Sequence, residues 1–379
     1  MDYMHIMILQ NKAALQKAEG FYHKALKCDS SFAQAYSGLA RLYWDKQYIK
    51  EKEYLSENFM DSVLILANIA LSHDNHLSEP YTLKGKYYSE IGKTEQAIEE
   101  FDKAIKLNPN DWMAYYEKGV FYWDADLVNT INYLQKAASI NRGQELPSLL
   151  GRIGVAYFIA GFPDKAKHYY QDNLKLDGDS LSYYDRLSNV EFWLANFNKS
   201  IEFAEKGYAI DSTNEDILFL LGHNFAWLGQ YEESLKYYKK YYERLKTNGG
   251  LNTGAMHRIG YAYWQNGYKK EAEYYFNGEI KYCNRMIELK RLGYGLYAYY
   301  DLAGVYAFRG ENEKAYKNLG LFNQAQHIPS WMAMLIKTDP LFNSIRNEPE
   351  FQQITKDIEA KYQAEYERVR KWLEENNML

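Results

Sequence analysis

Four histidines invite a chemical reading before anything else in this chain. Two stand three residues apart in "HDNH" (73–76), and two more, His223 and His257, stand far from either. A metal centre needs three or four donors at fixed spacing, so "HDNH" reads as a polar turn. Spacing gives neither His223 nor His257 an acid partner, so they read as ligand contacts or plain polar residues, not as catalysts. "GGLNTG" (249–254) lacks the lysine and Ser/Thr of a phosphate-binding loop. No HExxH occurs, and no Ser-His-Asp set follows from spacing. Cys28 and Cys283 fit neither a disulfide framework nor a metal spacing. "KYYKKYYERLK" (236–246) mixes basic and aromatic residues, but Glu232 and Glu233 precede it, so it reads as a solvated helix face without nucleic-acid contact. No enzyme and no cofactor are expected. What recurs instead is an aromatic word: "LYWDK" (42–46), "FYWDAD" (121–126) and "AYWQN" (262–266). Neighbours on a helix point about 100° apart. One ring of each pair can fill a core, and the other needs a second role.

Those words need helices to position them. The chain has 379 residues, 17% aromatic with 38 tyrosines, and only seven prolines. Helix can run nearly uninterrupted. A net charge of −5 gives no drive toward nucleic acid or acidic lipid. "VLILANIAL" (63–71) is too short to span a bilayer, and "MDYMHIMILQ" lacks a charged n-region and a cleavage site, so no membrane insertion and no signal peptide are expected. A repeat then emerges. In "PYTLKGKYYSEIGKTEQAIEEFDKAIKLNPND" (80–111), small residues stand at Gly85, Ala97 and Ala104, and large ones at Tyr81, Tyr88, Phe101 and Leu107. The Gly85 position recurs at Gly119, Gly154, Ser188 and Gly222, in steps of 34, 35, 34 and 34 residues, and at longer steps in Ala40, Gly260 and Ala303. Small residues let two antiparallel helices approach closely, and the large ones fill the space beside them. Gly92, Gly161, Gly229, Gly267 and Gly310 mark the turns, where a left-handed residue ends a helix cheaply.

This pattern resembles the tetratricopeptide repeat (TPR) family over residues 11–329. The resemblance implies an all-α fold: a right-handed α-solenoid of about eight TPR helix pairs. The units run near 33–77, 78–111, 112–146, 147–180, 181–214, 215–248, 253–286 and 296–329, after a partial unit at 11–32. Glu191 stands at a tyrosine position, and Tyr241, Glu279 and Phe322 stand at alanine positions, which puts local packing in doubt. Insertions interrupt the array at 45–59, 246–254 and 283–295. The family's geometry turns the second ring of each word into a concave groove lined by first helices. Trp44, Trp123, Phe158, Phe192 and Trp264 fall there, with Trp193 and Trp227 one position on; only Ser89 and Glu90 break the stripe. Earlier turns add Arg41, Lys86, Tyr116, Asp185, Asn189, Phe219, His223, His257, Tyr261, Tyr297 and Tyr300, and Asp45, Asp124 and Gln265 stand beside tryptophans. Five of the eight tryptophans lie in this stripe. It suits a protein or peptide, or a small ligand such as an oligosaccharide. The alternative is packing, with groove rings stacked on one another or buried beneath a terminal helix.

Residues 330–379 read as a C-terminal helical cap. Phe351, Ile354, Ile358, Tyr362, Val369 and Leu373 mark one face of an amphipathic helix. Covering the end of the solenoid is its default role, and a homodimer contact the alternative. "DPLFNSIRNEPEF" (339–351) resembles the closing motif of TPR sensor regions in bacterial helix-turn-helix (AraC- or CadC-like) transcriptional regulators and adenylate-cyclase-like regulators, and "KALKCDSSFAQAYSGLARLYW" (24–44) resembles their first units. The chain begins almost inside a repeat, as a piece of a longer regulator would. A non-enzymatic sensor module is the expected function, and a general protein-interaction scaffold the alternative. The expected compartment is the cytoplasm, or the periplasm for a membrane-anchored regulator.

Overall fold

The computed structural model describes residues 12–53, 59–123, 125–247, 255–288, 294–325 and 328–379. "MDYMHIMILQ", Asp124, most of 246–254 and part of 283–295 lie outside them. Within them stand nineteen α-helices and no strand. The chain divides into two compact units, 1–153 and 154–379.

The first unit holds α1 (Lys12–Cys28), α2 (Ala33–Glu53), α3 (Met60–His73), α4 (Ser78–Glu90), α5 (Thr94–Leu107), α6 (Trp112–Phe121), α7 (Leu127–Ile140) and the first half of α8 (Leu146–Ile159). Helices α2 to α7 form antiparallel pairs. At the α4–α5 crossing a Cβ on Gly85 would stand 2.7 Å from the Phe101 ring, so the close approach requires glycine. Asp111 and Asp126 cap α6 and α7 by accepting the backbone N–H groups of Met113 and Asn129. Part of the insertion at 45–59 lengthens α2 by further helical turns.

The second unit continues with α9 (Pro163–Asp177), α10 (Ser180–Trp193), α11 (Phe197–Ile210), α12 (Glu215–Trp227), α13 (Tyr231–Thr247), α14 (Met256–Gln265), α15 (Lys269–Glu288), α16 (Tyr294–Phe308) and α17 (Asn312–Phe322). The small-residue column behaves here as the repeat requires. Ser188 and Ser200 exchange hydroxyl-to-carbonyl hydrogen bonds at 2.9 and 2.7 Å between α10 and α11. The irregular positions are also filled. Phe322 and Glu279 are fully buried, Tyr241 nearly so, and Glu191 lies between Lys167 and Lys199 at 2.7 and 3.0 Å.

The C-terminal segment packs along this unit. It comprises α18 (Ser330–Thr338), a 3₁₀ turn (Pro340–Phe342) and α19 (Pro349–Glu375). Phe351, Ile354, Ile358, Val369 and Leu373 are buried, so the apolar face that a dimer would use is spent within the unit. Near its start, α19 meets the last pair: Tyr316 Oη donates to Glu348 at 2.6 Å. Near its end, Tyr366 stacks on Phe162 at 5.0 Å, and Lys165 donates to the Met378 carbonyl. A helix of 27 residues is about 40 Å long, enough to run from the last pair of the unit back to its first turn. The segment touches both the last pair of the unit and its first turn.

Candidate functional site

In the first unit the groove positions form a mixed aromatic and charged face. Trp44 is 5% exposed, packs on Ala40, Val63 and Leu83, and carries the Lys86 ammonium 4.5 Å above its ring. Lys86 also pairs with Glu117 at 2.5 Å. Tyr116 is buried between Trp112 and the Arg152 guanidinium, 5.3 Å from its ring. Trp123 is half-buried in the turn that follows α6. Burial pushes the Asp45 carboxyl up to about 6, against the pull of Lys86 and Arg41.

In the second unit the same positions hold the chain's own C-terminal segment. Trp331 packs against Trp193 and Tyr297, with centroids 5.2 and 5.3 Å away. Ser330 Oγ donates to the Phe158 carbonyl at 2.8 Å, and Trp227 Nε1 donates to Thr338 Oγ1 at 3.4 Å. Asp339 anchors the segment. Arg258 donates to both of its oxygens, at 2.7 and 2.6 Å, and Tyr300 Oη adds a third bond at 3.0 Å. Burial disfavours the Asp339 anion, but the Arg258 guanidinium outweighs it and holds the carboxyl below its ordinary range. The "DPLFNSIRNEPEF" motif is thus a closing latch. Asp339 caps the 3₁₀ turn, and Phe342, Ile345 and Phe351 enter the core of the last pair.

Between this segment and the first helices remains a cavity of about 250 Å³. Trp193, His223, His257 and Tyr300 line it, as do Trp331 and Asp301. Other groove positions lie elsewhere. Tyr261 and Trp264 pack edge-on against Phe308, and Asn189 turns back to Asp185 on its own helix. His223 is stacked on Phe192 at 4.7 Å, and burial drives its pKa well down, so it is a neutral imidazole. Its Nε2 is buried without a hydrogen-bond partner.

One side of the cavity is a polar cluster from three helices. Nδ1 of His257 (α14) lies 3.2 Å from Glu279 Oε2 (α15), and Nε2 lies 3.5 Å from Asp301 Oδ1 (α16). Neither ring nitrogen has an aligned hydrogen bond. The Cys283 thiol donates to Glu279 Oε1 at 3.3 Å. Burial, reinforced by Glu279, pushes that thiol's pKa far up, so it is not a thiolate nucleophile. Donor atoms of His257, Glu279 and Asp301 come within 4.8 Å of one another, the grouping among the described residues that comes nearest to a metal-ligand set. The carboxylates, however, approach opposite ring nitrogens and do not converge on one lone pair. The arrangement can bind and hold charge, and it offers no activated nucleophile. Sequence reasoning placed six of the lining residues in the groove: Trp193, Phe219, His223, His257, Tyr297 and Tyr300. It missed Arg258, Asp301, Asp339 and Trp331, and met Glu279 only as a misfit at an alanine position.

Comparison with known proteins agrees with this architecture. Residues 85–125 match a family model described as TPR repeat, and residues 253–278 one described as tetratricopeptide repeat. The chain carries TPR repeats, an architecture consistent with a protein-interaction scaffold. It is 27% identical over 172 residues to anaphase-promoting complex subunit 3 of Schizosaccharomyces pombe, covering 45% of this chain and 26% of that protein. It is 25% identical over 150 residues to the BBSome complex member BBS4 of Bos taurus, covering 39% of this chain and 28% of that protein. The matches span little more than a quarter of these relatives' length. Among solved structures, the APC/C hetero-tetramer Cut9-Hcn1 superposes with a TM-score of 0.48 at 15% identity, covering 91% of this chain and 59% of that one. No helix among the described residues is long and apolar enough to cross a membrane.

Proposed function

We propose that this chain is a non-catalytic ligand-binding module built from TPR repeats, with a small-molecule site in the unit formed by residues 154–379. One observation carries the reading. The first-helix face of that unit is already filled by residues 330–342, whose Met332, Ile336 and Phe342 are core residues, and the space left over is a cavity of about 250 Å³. That space is too small for a folded partner or an extended peptide and large enough for a small metabolite. The buried, unpartnered Nε2 of His223 supports it, because such a group is costly unless something pairs with it. A sensor role in a bacterial transcriptional regulator is the finer form of this reading, and the resemblance of residues 339–351 supports it.

The test is a titration of intrinsic tryptophan fluorescence with small metabolites, oligosaccharides and short peptides, on wild type and on Trp193→Phe. A saturable shift from a small molecule alone, altered in the variant, supports the reading. Saturation by a long peptide instead would move the site off this cavity.

A second reading is a protein scaffold acting through the first unit. There Arg41 stays exposed in its pair with Glu79 at 3.0 Å, next to the Lys86–Glu117 pair. Such a charged rim suits a protein partner. Arg41→Glu would then weaken capture of that partner while leaving small-molecule binding intact.

A further inference from the structure

The polar side of the cavity carries three acidic groups against two basic ones, His257 and Arg258. Glu279, Asp301 and Asp339 supply three buried or largely buried carboxylates. Arg258 is committed to Asp339 by two hydrogen bonds. His257 stands between the other two as their one shared basic neighbour. Asp301 thus shares its one close basic neighbour with Glu279, and a largely buried carboxylate so placed is either protonated or paired with a further cation. Glu279 is wholly buried and turned toward Cys283 and His257, whereas the Asp301 side chain keeps 17% exposure and lines the cavity. Burial pushes the Asp301 carboxyl up to about 7, with Glu279 and Asp339 adding to it against the pull of His257 and Arg258, so a cation beside it would favour its ionised form.

Aromatic side chains line the same cavity, Tyr297 one turn before Asp301 on α16. Trp193, Tyr297 and Trp331 line the cavity and pack on one another at 5.2 and 5.3 Å. Aromatic faces attract cations, most strongly where water is excluded. We infer that the cavity binds a small organic cation, a primary amine or quaternary ammonium group, paired with Asp301 and enclosed by Trp193, Tyr297 and Trp331. The inference rests on the small-ligand reading above and names the ligand's class. The unpartnered Nε2 of His223 then meets a polar atom at the ligand's other end. A metal ion fits less well. Glu279 and Asp301 address opposite nitrogens of one ring, and a bare ion would leave most of about 250 Å³ unfilled.

The experiment uses the full chain and follows tryptophan fluorescence with four probes: n-butylammonium, tetramethylammonium, n-butanol and Zn²⁺. The expected result is a saturable shift with one or both ammonium ions and none with n-butanol. Asp301→Asn should weaken the ammonium shift about tenfold or more, the usual size of a lost charge-assisted contact. Tyr297→Leu, which keeps the carboxylate, should weaken it as well and decides the matter if Asp301→Asn unfolds on thermal melting. Equal binding of n-butanol, unaffected by Asp301→Asn, would overturn the cation class and leave the small-ligand reading standing. Saturation by Zn²⁺ alone, with proton release, would replace the organic cation with a metal. If no ammonium ion shifts the signal, the inference fails; the small-ligand reading falls too only if the metabolite titration is also flat.

Discussion

Glu191 occupies a place where the repeat calls for tyrosine, and its neighbours show how the misfit is absorbed. Lys167 on α9, Lys199 on α11 and Asn196 in the turn all donate to it, at 2.7, 3.0 and 2.8 Å. Burial works against its charge, but these hydrogen bonds outweigh burial and hold its carboxyl at about 2, below its ordinary 4.5. A lowered folded pKa contributes stability that is present above the unfolded value and is lost as pH falls through the folded one. Thermal melts should therefore lose stability between about pH 4.5 and pH 2, and Glu191→Gln should flatten that limb by about 2 kcal/mol. At the next turn, Ala195 holds φ 59° where the other second-unit turns between paired helices carry glycine. Ala195→Gly should raise stability by about 1 kcal/mol in chemical denaturation. The reverse applies at Gly154, where a Cβ would stand 2.4 Å from the buried Tyr170 ring. Gly154→Ala should cost about 1–2 kcal/mol, because overpacking outweighs the gain in helix propensity.

Among elements, α18 and the turn after it decide what the second unit can bind. Their apolar side chains do most of the holding, and the Arg258–Asp339 pair sets their register. Removing one partner of a buried ion pair leaves an uncompensated charge, at about 3–5 kcal/mol. Asp339→Ala should therefore lower the melting temperature far more than an exposed pair such as Arg370→Ala on α19. Differential scanning calorimetry of the two variants makes the comparison. Equal shifts would mean that the latch contributes little and that the core of α18 alone holds the segment.

At the scale of the whole molecule, a repeat array distributes stability by neighbour contacts and not through one central core. The two compact units follow from that, with the division falling inside α8. Hydrogen exchange on Asp339→Ala should show lost protection in α10 to α18 while α2 to α7 keep theirs. The local features of the molecule were legible from residues alone. A period of about 34 residues dictates helix pairs, small residues at Gly85, Gly154 and Ser188 dictate where helices touch, and turn glycines dictate where they end. The buried face of α19 follows from its own spacing. These depend on contacts within one or two repeats, which sequence spacing encodes directly. Only the tertiary structure decided what the aromatic groove faces. Arg258 and Asp339 stand 81 residues apart, and their meeting depends on how successive pairs curve and on where a terminal segment finds uncovered apolar surface. The cluster of His257, Glu279 and Asp301 depends on the same curvature, because each residue comes from a different helix and none marks the others by spacing. Periodicity names the face of each helix; the accumulated rotation of the stack decides what lies against it.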